Sequence, residues 1–118
     1  MKQEKRRNNE EKKHQQGVKF DNGKPAAGWL LEVFPNALMC LGKVIRKGQE
    51  KYPDPNNWKF LEWAEVRYRD ALMRHLLKKY SGKDTDEETG LSHLAHAAWN
   101  ALALLELELI KDDKKDEL

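Results

Sequence analysis

The chain has 118 residues, 36% of them charged, with a formal net charge of +2, a length that holds one domain and excludes a second. Leu, Ile, Val and Phe occupy 25 positions, close to the level at which chains stop folding, yet 24 of the 25 lie between 18 and 110. The reading is a flexible basic arm at 1–17, one folded domain at 18–110 and a polar tail at 111–118. The arm carries six basic and three acidic side chains, whereas the folded part carries 13 of each sign. A neutral body argues against a domain built on duplex phosphate neutralisation, so nucleic acid is not the expected partner.

The folded part opens on Lys19-Phe20-Asp21-Asn22-Gly23-Lys24-Pro25, a turn-rich segment. A first helix is predicted from Trp29 or Pro35 to Lys47, with Pro35 in its first turn and Gly48 just past its end. Leu38, Leu41, Val44 and Ile45 form its apolar stripe. Lys51–Trp58 is a loop, because two prolines in three residues forbid a helix. A second helix is predicted over Lys59–Tyr80, with Leu61, Ala64, Tyr68, Ala71, Leu72, His75 and Leu76 on one face. Thr85 and Glu88 have the spacing of a capping box for a third helix over Asp86–Lys111. That helix is apolar on nearly all sides and is the expected centre of the core. No strand alternation and no repeat is visible. The expected fold is all-α, a small helical domain whose core is completed by homo-oligomerisation.

One cysteine, Cys40, cannot form an internal disulfide, and no apolar signal region precedes the domain. The expected compartment is cytoplasmic. The terminal Lys115-Asp116-Glu117-Leu118 spells a retention signal that without a leader reads as coincidence. Leu91–Ile110 has the length of a membrane span, but its two His, one Asn, one Ser and two Glu are costly in hydrocarbon.

Chemistry is suggested first by His93, His96 and Asn100. At i, i+3 and i+7 they share one face of an otherwise apolar helix, where each must find a partner. They either bond one another to fix register or form a site. Asp70, Arg74 and His75 on the second helix, and Asp86 and Glu88 at the start of the third, can join them. A set of His75, His93, His96, Asp86 and Glu88 suits a divalent metal, with imidazole pointing to Mn, Zn or Ni rather than Mg. Lys24, Lys51 and Arg74 can hold phosphate oxygens. Tyr52, Trp58 and Trp29 offer rings on which a base can stack.

KFDNGKP at 19–25, the Gly48/Lys51-Tyr52 pattern, Asn57-Trp58, RYRDALMRH at 67–75 and DEETGLSHLAHAAWNALALLELEL at 86–109 resemble a small phage and prophage family, the N-terminal domain of dATP/dGTP diphosphohydrolases. The resemblance spans nearly all of the folded part, and its last block is the specific one. It implies an α-helical protein, in the host cytoplasm if phage-encoded, that cleaves a purine dNTP to monophosphate and pyrophosphate. Metal, acid and phosphate-binding roles then fall on Asp70, Arg74, His75, Asp86, Glu88, His93, His96 and Asn100, with Asp70, His75 and His96 as the catalytic set and Mn or Mg, or else Zn or Ni, as cofactor. All-α pyrophosphohydrolases of the MazG-like type hold Mg with two carboxylate pairs. Here Glu62-x-x-Glu65 offers the first pair, and His93-x-x-His96 stands in place of the second. Loss of that acidic pair favours an alternative, a non-catalytic protein that sequesters a nucleotide or a nucleotide-derived host immune signal. There His93, His96 and Asn100 would donate hydrogen bonds and no metal is needed.

Overall fold

The computed structural model describes residues 16–116, which contain four α-helices, one 3-10 turn and no strand. Helix α1 covers Trp29–Val33 and α2 covers Pro35–Lys51. Both starts allowed by the sequence are therefore used, and the break falls at Phe34 (φ −126°, ψ 45°), because a residue preceding proline is pushed out of the helical region. The end expected at Lys47 is corrected. Gly48 lies inside α2 and accepts a hydrogen bond from the Tyr52 N–H at 2.8 Å. The helix stops only where Tyr52, preceding Pro53, becomes extended.

The second helix also starts later than expected. Residues Asn57–Phe60 form the 3-10 turn, and α3 covers Ala64–Tyr80. Between them Trp63 takes a left-handed conformation at φ 59°, which ends any helix begun at Lys59.

The largest correction concerns the third helix. Its start is His93, not Asp86, and α4 covers His93–Asp116. Residues 84–92 instead fold as a tight loop closed by a bridge between Thr85 and Ser92. Within it the Asp86 N–H donates to the Leu91 carbonyl and the Gly90 N–H donates to the Asp86 carbonyl, each at 2.7 Å. The Thr85/Glu88 box does not form. Asp86 instead accepts from the Thr89 N–H and hydroxyl, both at 3.0 Å. Ser92 Oγ caps α4 by accepting the Leu94 N–H at 3.1 Å. At the other end the expected polar tail is helical as far as Asp116. The expected arm at 1–17, apart from its last two residues, and the end of the Lys115–Leu118 motif lie outside the described residues.

Helices α3 and α4 run antiparallel. Glu65 meets Lys111 at 3.0 Å near one end and His75 meets His93 near the other. Helix α2 packs more lightly on α4, and α1 contacts α2. The core is small and consists of Val44, Tyr68, Ala95, Ala97 and Ala103. Helix α4 is central, as expected. Its buried apolar side chains are alanines, while Leu94, Leu102, Leu105 and Leu109 stay exposed. Among the described residues no helix is long and apolar enough to cross a membrane.

The loop before α4 depends on Gly90, whose φ of 73° is strained for any residue with a Cβ. A Cβ at that position meets open space, so the cost of Gly90→Ala is one of backbone alone. The expected loss is about 1–2 kcal/mol, seen as a lowered Tm in thermal unfolding followed by circular dichroism.

Candidate metal and nucleotide site

Tyr68 and His75 are seven residues apart on α3, two helical turns, and so share the face turned toward α4. Helix α4 answers with His93, His96 and Asn100, the polar stripe read in the sequence, and with Trp99. His93 is 1% exposed, and Asn100 and Asp86 are also buried.

The imidazoles are close-packed. His75 Nδ1 lies 2.9 Å from His93 Nδ1, and the His75 ring stacks on His96 at 4.6 Å and 10°. The loop brings the Asp86 carboxylate to the same place, so that ligand atoms of His75, Asp86 and His93 all lie within 4.8 Å of one another. Asp86 Oδ2 is 3.9 Å from His96 Nε2. Thr89 ties the group together, its Oγ1 lying 2.7 Å from His96 Nε2 and accepting the Leu91 N–H at 3.2 Å. An ionised Asp86 can only accept, so the single Thr89 proton goes to Asp86. His96 then donates from Nε2 and keeps a lone pair on Nδ1. Asn100 Nδ2 donates to the His96 carbonyl at 2.8 Å, which leaves its side-chain oxygen available.

Burial sets the charge states. It pushes His75 down to about 4, helped by the neighbouring His96, and burial also lowers His96. For Asp86, burial works to raise the pKa but is outweighed by the two Thr89 hydrogen bonds and by His96 and His75, so its carboxyl sits below the usual range. At neutral pH His75 and His96 are therefore neutral imidazoles beside a carboxylate, the protonation state that metal ligation requires.

The donor set fits a divalent transition ion. Two nitrogens each about 2.1 Å from a metal and at right angles to one another are about 3.0 Å apart, close to the observed His75–His93 separation. Two imidazoles with one carboxylate is a set typical of borderline metals.

Above this cluster opens a groove of about 1210 Å³ between α2, the 52–58 loop, α3 and α4. Trp58, Tyr68 and Trp99 form one wall, with ring centroids 5.5–6.4 Å apart. The Tyr68 hydroxyl donates to the Trp58 carbonyl at 2.6 Å and pins the 3-10 turn to α3, while burial raises Tyr68 to about 12. At the rim Lys51 bonds Glu88 at 3.2 Å, and that contact raises the lysine pKa.

Of the residues singled out in the sequence, Lys51, Tyr52, Trp58, His75, Asp86, Glu88, His96 and Asn100 line this groove, and His93 lies in the metal-ligating group. Lys24, Trp29, Asp70 and Arg74 do not line it. Lys24 sits in the turn closed by its N–H bond to the Asp21 carbonyl. Asp70 and Arg74 are exposed on the far side of α3 and form no ion pair among the described residues. Asp70 is two residues past Tyr68, about 200° around the helix. Glu88 is exposed, paired with Lys51 and outside the ligating group. Glu62 precedes α3 and Glu65 pairs with Lys111, so the expected carboxylate pair is not assembled at the site. Thr89 and Trp99 were not anticipated. Their signals were the Asp-x-x-Thr spacing from Asp86 and the i+3 spacing from His96.

Residues 14–117 match the family described as dATP/dGTP diphosphohydrolase, N-terminal. The chain belongs to that family. It is also 39% identical over 82 residues to a protein named dATP/dGTP diphosphohydrolase from Salmonella phage PMBT28, a match covering 70% of this chain and 26% of that relative. The chain thus spans about a quarter of the relative's length. No solved structure matches it.

The depressed histidines make stability depend on pH. The unfolded chain takes up protons below about 6.5, whereas native His75 resists protonation until about 4. Stability is therefore full above pH 6.5 and falls as the pH drops through that window. Discounted for partial exposure, the loss is on the order of 1–2 kcal/mol by pH 5. Thermal unfolding in chelator at pH 7.5 and 5.0 should show it, and His75→Gln should flatten the difference.

Proposed function

We propose that the chain is a divalent-metal-dependent diphosphohydrolase that cleaves purine deoxynucleoside triphosphates to the monophosphate and pyrophosphate. The observation that carries this reading is the His75/His93/Asp86 ligand group at the base of the groove. Family membership and the name of the phage relative supply the substrate class. His75, His93 and Asp86 would hold the cation, which when bound would supply Lewis-acid polarisation of a phosphoanhydride and an acidified water. His96, neutral at pH 7, accepts a proton at Nδ1, its tautomer fixed by Thr89. Lys51 and Lys47 at the groove rim neutralise phosphate oxygens. Tyr52 and Trp58 offer a ring to the base, and the Asn100 side-chain oxygen accepts from an amino or hydroxyl group. Asp70 and Arg74 have no part in this arrangement. The working unit is the helical domain from residue 18 to the end of α4, acting in the cytoplasm, that of the host if phage-encoded, as one subunit of a homo-oligomer.

A second reading draws on a specific observation: one buried carboxylate accompanies three imidazoles, and neither Glu62 nor Glu65 joins them. On that reading the groove holds a nucleotide, or a nucleotide-derived host immune signal, intact.

Incubation with a panel of dNTPs, NTPs and cyclic or ADP-ribose-type nucleotides, with Mn or Mg, separates the two. Nucleotides are resolved by ion-exchange chromatography before and after heat denaturation of the protein. Metal-dependent conversion of dATP or dGTP to its monophosphate is the expected result, with Asp86→Asn about a hundredfold slower or worse. Disappearance of one nucleotide and its intact return on heating would establish the binder instead.

A further inference from the structure

Helix α4 carries a second pattern, on the side turned away from α3 and from the groove. Leu94, Ala98, Ala101 and Leu105 recur at spacings of four, three and four, a heptad seam. All four are exposed, Leu94 at 42% and Leu105 at 51%. At about 100° per residue they fall within roughly 60° of one another, and the half-exposed Leu109, with Leu102 at the edge shared with the groove, widens the stripe on one side. No described element covers it.

The order Leu-Ala-Ala-Leu reads the same in both directions. A two-fold interface requires that residue i meet residue j of the second copy while j meets i. Two α4 helices laid antiparallel satisfy this, with Leu94 facing Leu105 and Ala98 facing Ala101, large against large and small against small. Each layer then pairs a first-type with a second-type heptad position, as antiparallel seams do. The six side chains offer on the order of 500 Å² per copy, so about 1,000 Å² in all, the lower bound of a specific interface. The folded part carries equal numbers of acids and bases, so two copies meet without net repulsion.

We propose that the protein dimerises through α4, packed antiparallel on a second copy of itself about a two-fold axis between Ala98 and Ala101. This surface meets the nucleotide groove only at Leu102 and stands whether or not the proposed chemistry does. The stripe also accounts for the small core of the single chain, since burying it adds four leucines to a domain whose buried apolar residues include three alanines.

Light scattering behind size exclusion tests it on the full chain, with twice the 13.8 kDa chain mass expected. Leu94→Lys and Leu105→Glu should each give monomers. Combined in one chain they should restore the dimer, because each antiparallel layer then sets the introduced lysine of one copy against the introduced glutamate of the other. Should a single variant fail to fold by circular dichroism, the Tm of the unmodified chain over a hundredfold concentration range decides. A rise supports the dimer and constancy overturns it. A particle of one chain mass at all concentrations, a dimer that survives both single variants, or a double variant that stays monomeric while folded overturns the proposal.

Discussion

Three imidazoles and a carboxylate share one poorly solvated junction between α3 and α4, and every one of them has to be satisfied there. His75 and His93 present Nδ1 atoms to each other at 2.9 Å. Two lone pairs at that distance repel, so the contact demands a proton or a cation between them. Desolvation drives His75 away from the imidazolium form, so its Nδ1 either shares an N–H with His93 or faces a bound cation. The rest of the architecture serves this requirement. Ala97 lies small between His93 and Asn100 on the face toward α3, and the 84–92 loop delivers Asp86. Thr89 saturates Asp86 and His96 at once, and Tyr68 fastens the 3-10 turn that walls the groove.

The faces of α4 illustrate how one helix meets opposed demands. Toward α3 it buries small apolar residues and polar groups with partners: His93, Ala97 and Asn100. Toward the groove it presents His96 and Trp99. On the remaining side it leaves a leucine-alanine stripe uncovered. An apolar helix is usually read as one buried on all sides. Here Leu94, Leu102, Leu105 and Leu109 lie outside while Ala95, Ala97 and Ala103 are buried. A helix can therefore look like a core element by composition while most of its leucine surface waits for a partner.

Much of this was legible in the sequence because it rests on local rules. Pro35 and Pro53 punctuate the first helices through the restriction each imposes on its predecessor, and the i, i+3, i+7 spacing of His93, His96 and Asn100 needs only helical geometry to be read as a shared face. What failed depended on which face meets a neighbour. Asp70 and Arg74 have the right spacing to pair, and Glu62 and Glu65 the spacing of a ligand pair. Spacing carries no information about direction, and none of the four reaches the site, Glu65 pairing with Lys111 at the far end of α4. The start of α4 was misplaced for a related reason. Thr85/Glu88 and Asp86/Thr89 are both capping-type pairs one residue apart, and only the tertiary demand for a carboxylate beside His75 selects the second. Trp99 escaped notice because a tryptophan on an apolar helix looks like core until Trp58 and Tyr68 are seen around it.

The proportion of histidine to carboxylate bears on how such a site would treat a triphosphate. A four-carboxylate Mg site carries so much negative charge that several cations are needed before a polyanion can approach. With Asp86 as the buried carboxylate, a single divalent cation leaves the ligand group net positive, so the site itself attracts phosphate. At the rim Lys51 is engaged by Glu88 and Lys47 by Glu50. Those weak exposed pairs can open toward phosphate at small cost. Imidazole also binds a borderline ion more selectively than oxygen does. A group of two imidazoles and one carboxylate in place of paired carboxylates would thus differ in two properties together, the metal that fits and the charge left over for a nucleotide, and neither difference requires another fold.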